Sequence, residues 1–154
     1  MTEVDTLPVV LFRVGDLVCA APAARVREVL PRLPATRIPG VDAAVHGLVN
    51  LRGGLLTVVD GHTLLQRPSR EDDEGAIVVL DVAGRRFGLG VSQVLDFVEL
   101  PPGAIAPREE LPGVDPALVR AVATRDDWHF VLLDLDTLLA PVTGGNQEPF
   151  GGAS

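Results

Sequence analysis

The feature that most constrains the fold of this chain is an internal repeat. The first half opens on residues 9–15 (VVLFRVG) and the second on residues 78–84 (VVLDVAG). The two halves also end alike, on residues 59–65 (VDGHTLL) and 133–139 (LDLDTLL). A fixed internal period indicates a duplicated structural unit, and a period of about seventy residues predicts two small lobes rather than a long solenoid. Two similar lobes with a seam between them suit a connector better than a catalyst.

Length and charge narrow the class of protein further. A chain of 154 residues with 47% hydrophobic residues can form one domain, or two lobes that share a core. The formal net charge is −8, and no stretch of sequence groups arginines without acidic residues nearby. We therefore expect neither a nucleic acid partner nor binding to an acidic membrane leaflet, because both require a basic face.

The sequence predicts a cytoplasmic protein without direct membrane insertion. The single Cys19 excludes an internal disulfide, and its apolar neighbours predict a small core residue. The N-terminal residues are acidic and lack the hydrophobic stretch of a signal peptide. No run approaches the roughly 20 apolar residues that a membrane-spanning helix needs.

Short apolar runs separated by turn residues are typical of a small β-barrel or sandwich. Hairpin turns are predicted at residues 15–16, 53–54 and 125–127, where glycine or aspartate interrupts the apolar pattern. Residues 26–30 remain ambiguous. Their valines stand three apart, which suits a helical turn, whereas their β-branched content suits a strand.

The sequence offers little for catalysis. A catalytic site needs a nucleophile, a base and an orienting group that converge, or a set of metal ligands. His62 lies two residues after Asp60, but no second pair with usable metal-ligand spacing accompanies it. Asp60, Asp134 and Asp136 stand at the entry to short helical patterns, so we interpret them as helix caps. We expect no catalytic residue, cofactor or metal; a small enzyme using Asp60 and His62 is the remaining alternative.

The most specific motif is residues 47–60 (GLVNLRGGLLTVVD). It is preceded by residues 10–16 (VLFRVGD) and 26–29 (VREV), and followed by residues 88–91 (GLGV). In this order and spacing the chain resembles the CheW-like domain of bacterial chemotaxis coupling proteins, whose motif is G-x-x-N-L-R-G before an apolar strand. The resemblance covers nearly the whole chain, from about residue 8 to residue 140.

The resemblance implies an all-β fold of two SH3-like, five-stranded β-barrel subdomains with short helical turns. It implies a single CheW-like domain over residues 1–140, with subdomains at about 8–66 and 76–140 and with strands that can cross between them. Composition predicts a solvated connector at residues 67–75 and a flexible tail at residues 141–154.

The same resemblance implies function. Proteins of that family are non-enzymatic adaptors that bridge the cytoplasmic tip of a chemoreceptor to the regulatory domain of the histidine kinase CheA. The family's receptor-contact segment falls on Val26, Glu28 and Val29, and the arginine of its motif falls on Arg52. The valines would make apolar contacts, while Glu28 and Arg52 would set orientation through charged hydrogen bonds. The alternative is that the valines belong to the core and that Arg52 braces its turn.

The chain also departs from the family pattern. Ser92 stands where the second half usually has an aspartate, and Gly61-His62 replaces the more usual Leu-Arg. These departures favour a second hypothesis, a divergent CheW-like module that competes with or sequesters a coupling protein or kinase in a pathway controlling pili or gene expression. Trp128, at the start of a predicted strand, is either a partial core plug or an interface anchor.

Overall fold

The computed structural model describes residues 6–70, 73–107 and 113–143. It is built mainly from β-strands with a few short helical segments. The strands are β1 Leu7–Val14, β2 Leu17–Pro22, β3 Val26–Pro31, β4 Val45–Leu51, β5 Gly54–Asp60, β6 Ala76–Val82, β7 Arg85–Val91, β8 Gln93–Leu100, β9 Ile105–Pro107, β10 Val119–Arg125 and β11 Trp128–Leu133. The α-helices are α1 Gly61–Leu65, α2 Leu135–Leu138 and α3 Ala140–Thr143, and single 3₁₀ turns cover Ala23–Arg25, Pro102–Ala104 and Pro116–Leu118.

The strands form two sheets. Sheet A has the order β8-β1-β2-β11-β10-β9, and sheet B has the order β3-β6-β7-β5-β4. Neighbouring strands are antiparallel except at β2 with β11 and at β5 with β7, which pair in parallel. The predicted all-β class is confirmed. Sheet B has the predicted five strands, whereas sheet A has six because the three-residue β9 is added at one edge.

The two halves of the chain exchange strands. Sheet A combines β1 and β2 of the first half with β8 to β11 of the second, and sheet B combines β6 and β7 of the second half with β3 to β5 of the first. Each sheet therefore holds the opening hairpin of one half and the third strand and closing hairpin of the other. The sequential bounds 8–66 and 76–140 do not delimit the sheets, whereas the strand crossing that the resemblance implied is present.

The central strands of each sheet are buried on both faces, which explains the continuous apolar runs of β1 and β6 in the sequence. One face of each sheet packs against the other sheet and forms a shared core that includes Phe12, Leu80 and Phe87. The opposite faces line two smaller cores, one within sheet A around Phe130 and one within sheet B around Val49. Cys19 lies in the shared core as predicted, and burial raises the pKa of its thiol.

Local structure follows the turn and cap residues closely. The turn at residues 15–16 is confirmed, and Asp60 and Asp134 cap α1 and α2 by accepting backbone N–H groups at 3.1 Å. Asp136 is not a cap, because it lies within α2, where its carboxylate binds Arg25. The β4–β5 turn lies one residue earlier than predicted. It is formed by Arg52 and Gly53, whose φ angles are 51° and 85°, and a two-residue type I′ turn requires positive φ at both positions.

Three further expectations are resolved by the structure. Residues 26–30 are strand, because β3 pairs with β6 along its length. The connector at 67–75 is not simply solvated, since Arg67 binds Asp16 and the Asp73 carboxylate binds Arg13. Helix α3 covers the first residues of the predicted tail, up to Thr143, and the remaining residues, 144–154, lie outside the described ranges. None of the helices described here is long and apolar enough to cross a lipid bilayer.

Candidate protein-interaction site

Strand β3 is an edge strand of sheet B and carries three of the four predicted contact residues. A bulge between Val26 and Glu28 places Val26 opposite Leu80 and Val29 opposite Val78. Because directly opposed residues share a face of the sheet, both valines lie on the face of the shared core. Without the bulge, residues three apart in a strand would point to opposite faces.

The two valines nevertheless differ in burial. Val26 packs against the shared core and is half-buried, in accord with the core alternative. Val29 is 44% exposed, so it leaves an apolar side chain at the open edge of the seam between the sheets. Val29 is therefore accessible from solvent, whereas Val26 serves chiefly for packing.

Glu28 and Arg52 come together although β3 and β4, the strand that Arg52 follows, lie at opposite edges of sheet B. Arg52 Nη2 donates to Glu28 Oε2, and the side chains are 66% and 30% exposed for Arg52 and Glu28 respectively. Strands β3 and β4 are the first and last of the sheet order, so this contact requires the sheet to curl until its edges approach. The result is an exposed ion pair at the tip of the β4–β5 hairpin.

Leu55 completes this surface and was not predicted as a contact residue. It follows the Arg52-Gly53 turn by two positions and is 71% exposed, while the next residue, Leu56, is buried. Alternation along β5 requires one member of the Leu55-Leu56 pair to face outward, and this is the one signal in the sequence that could have identified it. We call Glu28, Val29, Arg52 and Leu55 the β3–hairpin surface.

Sheet A carries an equivalent position. Strand β8 also has a register shift against β1, and it places Phe97 opposite Val10 as β3 places Val29 opposite Val78. Phe97 is 61% exposed and Trp128 is 49% exposed. Trp128 also lines a groove of about 320 Å³ at this end of sheet A. Of the two interpretations of Trp128, its exposure fits the interface anchor better than a core plug.

A polar network lies where the chain crosses from sheet B to sheet A. Ser92, between β7 and β8, is fully buried, and its Oγ accepts the Gly15 N–H at 2.9 Å. His62 Nε2 lies 2.8 Å from the same Oγ, and His62 Nδ1 lies 3.2 Å from Asp60 Oδ1. The backbone N–H of Ser92 donates to the Arg13 carbonyl at 2.9 Å. These bonds connect β1, α1 and the crossing segment.

The order Asp60, His62, Ser92 is that of a serine hydrolase relay, but the hydroxyl cannot act as a nucleophile here. Ser92 is 0% exposed, so no substrate carbonyl can reach its Oγ, and one of its lone pairs is occupied by the Gly15 N–H. The arrangement therefore serves to satisfy buried polar groups at the joint between the sheets.

Asp73 reaches the same joint from the segment before β6. Its Oδ1 accepts from Arg13 Nη2 at 2.9 Å, and its side chain is 5% exposed. The hydrogen bond from the Arg13 guanidinium is the main reason that the pKa of Asp73 falls to about 2, and the Ser92 hydroxyl lowers it further. Asp73 therefore holds its negative charge throughout the physiological range. Within the ranges described, no three His, Cys, Asp or Glu side chains converge as metal ligands.

Comparison with known proteins identifies the family. The sequence model of the CheW-like domain family matches residues 8–142 of this chain. The chain belongs to the CheW-like domain family. It is 28% identical over 133 residues to the probable chemotaxis protein CheW of Rhizobium etli, with 85% of this chain and 86% of that protein covered. It is 30% identical over 131 residues to the chemotaxis protein CheW of Rhizobium meliloti, with 84% of each chain covered.

A solved structure supports the same fold. The scaffolding protein TtCheW from Thermoanaerobacter tengcongensis superposes with a TM-score of 0.82 at 24% identity, covering 93% of this chain and 98% of that one. The family and its curated relatives support a scaffold or adaptor role in chemotaxis for this CheW-like protein.

Proposed function

We propose that this CheW-like protein is a non-enzymatic, cytoplasmic adaptor that couples chemoreceptors to a CheA-type histidine kinase. In this proposal, the β3–hairpin surface contacts a partner. Val29 and Leu55 supply apolar contact, while Glu28 and Arg52 set the register through charged hydrogen bonds. Support comes from the match to the CheW-like family over residues 8–142 and from the exposure of these side chains.

The observation that carries the proposal is the backbone conformation of Arg52. Its φ of 51° lies in the left-handed region, which costs a residue with a side chain roughly 1–2 kcal/mol. Type I′ turns prefer Asn, Asp or Gly at this position. The ion pair with Glu28 is solvent-exposed, and such pairs contribute about 0–1 kcal/mol. Folding stability therefore does not explain an arginine at this turn position. A residue that the turn disfavours, with no compensating gain in stability, is expected at a functional site.

Replacing Arg52 by glycine distinguishes a role of this side chain in partner binding from a role in stabilising the β4–β5 turn. Arg52→Gly removes the guanidinium and relieves the left-handed strain, so we expect a free energy of unfolding within about 1 kcal/mol of the parent protein. Binding to the regulatory domain of a CheA-type kinase and to a receptor tip, both from the same organism, should weaken. Isothermal titration calorimetry would measure each affinity.

The charge-matched comparison uses Arg52→Glu beside Arg120→Glu. Arg120 is exposed on β10 in sheet A, so its reversal changes net charge equally but leaves the β3–hairpin surface intact. Arg52→Glu should weaken partner binding by more than Arg120→Glu does. Equal effects of the two reversals, or lost stability with intact binding in Arg52→Gly, would contradict the proposed contact role.

The competing hypothesis, a module that sequesters a coupling protein or kinase, began from His62 and Ser92. Both residues belong to the buried joint between the sheets rather than to the β3–hairpin surface. Their departure from the family pattern therefore leaves that surface unchanged, and this favours coupling. Adding the protein to receptor and kinase reconstituted together would distinguish the two: kinase activity should rise for a coupling protein and fall for a competitor.

A further inference from the structure

The fold brings together three of four arginines that the sequence places in two pairs. Arg25 ends the 3₁₀ turn before β3, Arg27 lies near the start of β3, and Arg85 and Arg86 lie at the start of β7. Three of them meet around Asp81. Arg25 Nε donates to the Asp81 carbonyl at 2.8 Å, while Arg27 and Arg86 approach the Asp81 carboxylate at 3.7 and 3.9 Å. We call Arg25, Arg27 and Arg86 the Asp81 arginine cluster.

The cluster is positive although the chain as a whole carries a formal net charge of −8. Asp81 and a second carboxylate, Asp136, offset part of this positive charge. Asp136 Oδ1 lies 3.0 Å from Arg25 Nη2. Arg85, the neighbouring residue on β7, does not belong to the cluster, because it lies 5.0 Å from the centre of the Phe87 ring, on the face of the strand opposite to Arg86.

The guanidinium groups of Arg27 and Arg86 are available to a further carboxylate. Their side chains are 52% and 50% exposed, and their distances to Asp81 are too long for full hydrogen bonds. A guanidinium can bind a carboxylate through two parallel N–H groups. Asp81 therefore leaves most of their donors unused.

We propose that the Asp81 arginine cluster is a binding surface for a carboxylate-rich segment of a partner protein. A partner carboxylate would bind Arg27 and Arg86 in place of their loose contact with Asp81. The small size of the cluster and the net negative charge of the chain favour a short acidic segment over a nucleic acid or an anionic membrane, whose extended charge the rest of the surface would repel.

The cluster is distinct from the β3–hairpin surface but adjoins it. Arg27 occupies the bulge directly before Glu28, so one partner could contact both surfaces along β3. The inference stands on the charges and distances around Asp81 and does not require the receptor or kinase proposed above.

An end-capped polyglutamate peptide tests the proposal on the full chain. Its affinity would be measured by titration at low salt, where exposed charges are least screened. The double variant Arg27→Gln/Arg86→Gln should bind the peptide more weakly, by roughly two- to fivefold for each arginine removed. Arg37→Gln/Arg120→Gln is the matched control, because it removes two exposed arginines elsewhere, and it should keep most of the affinity.

The substitution Asp81→Asn should have the opposite effect on the affinity for polyglutamate. Removal of the carboxylate that competes for Arg27 and Arg86 should strengthen peptide binding, with circular dichroism confirming an unchanged fold. The proposal is overturned if the parent does not bind polyglutamate, if both double variants lose affinity equally, or if Asp81→Asn binds more weakly. Equal competition by duplex DNA or by phosphatidylserine vesicles would also overturn it, as the surface would then be a general polyanion site.

Discussion

Truncation of Ser92 to alanine tests the joint between the sheets. The Ser92 hydroxyl accepts the N–H of Gly15 and contacts His62 Nε2, and the residue is 0% exposed. In Ser92→Ala, the Gly15 N–H loses its acceptor in a place that bulk water does not reach. The imidazole of His62 loses one of its two hydrogen-bond partners at the same time.

The expected cost follows from the buried N–H group. A buried donor without a partner costs about 1–3 kcal/mol. For a protein of this size each kcal/mol shifts the melting temperature by roughly 2–4 °C. Ser92→Ala should therefore melt roughly 2–12 °C below the parent protein, as followed by circular dichroism at neutral pH, with urea denaturation giving the free energy of unfolding.

Ser69→Ala is the matched control because it removes the same hydroxyl from an exposed residue. Such a surface substitution should change stability by no more than about 0.5 kcal/mol. If Ser92→Ala is as stable as Ser69→Ala, the Ser92 hydroxyl does not hold the two sheets together, and the role assigned to the network is wrong.

Two further substitutions test other parts of the fold. The pKa of folded Asp73 lies at about 2, below the usual value near 4, so its ion pair with Arg13 stabilises the protein fully above about pH 4 and is lost as the pH falls toward 2. The difference in melting temperature between the parent and Asp73→Asn should therefore shrink from about pH 4 to pH 2. A difference that stays constant over this range would exclude the ion pair as its cause. In Gly47→Ala the new Cβ would lie 2.5 Å from the Thr36 carbonyl oxygen, so the free energy of unfolding measured with urea should fall by about 1–3 kcal/mol. The control Gly103→Ala, with open space around it, should leave the free energy of unfolding nearly unchanged. Equal stability of the two variants would show that the close approach of β4 to Thr36 leaves room for a Cβ.

The fold could be predicted from local patterns because strand runs, turns and helix caps are encoded by nearby residues. Asp60 and Asp134 cap helices that start immediately after them. The position of the β4–β5 turn was one residue off because both Gly53 and Gly54 can adopt positive φ. The inward-facing Val49 and Leu56, which pair across the two strands, select the register, and the turn then falls on Arg52 and Gly53.

The site was predictable only in part, because its contacts join residues far apart in sequence. Glu28 and Arg52 were both named from the family resemblance, and their role in partner contact stays a prediction. Their ion pair could not be predicted, because it depends on the curvature of sheet B. Ser92 and His62 are 30 residues apart, and no local pattern indicates that a buried hydroxyl joins them. The arginines around Asp81 were likewise hidden, because in the sequence each pair stands close to acidic residues.

The exchange of strands between the halves has a consequence for how such a chain could arise and be divided. A polypeptide that ends after α1 contains β1 to β5 and so can complete neither sheet alone. Two fragments cut before β6 should each remain unfolded when alone and assemble on mixing. By the same reasoning, a half-length chain with this topology would have to form an obligate homodimer, and fusion of two copies would turn the contact between subunits into an intramolecular one.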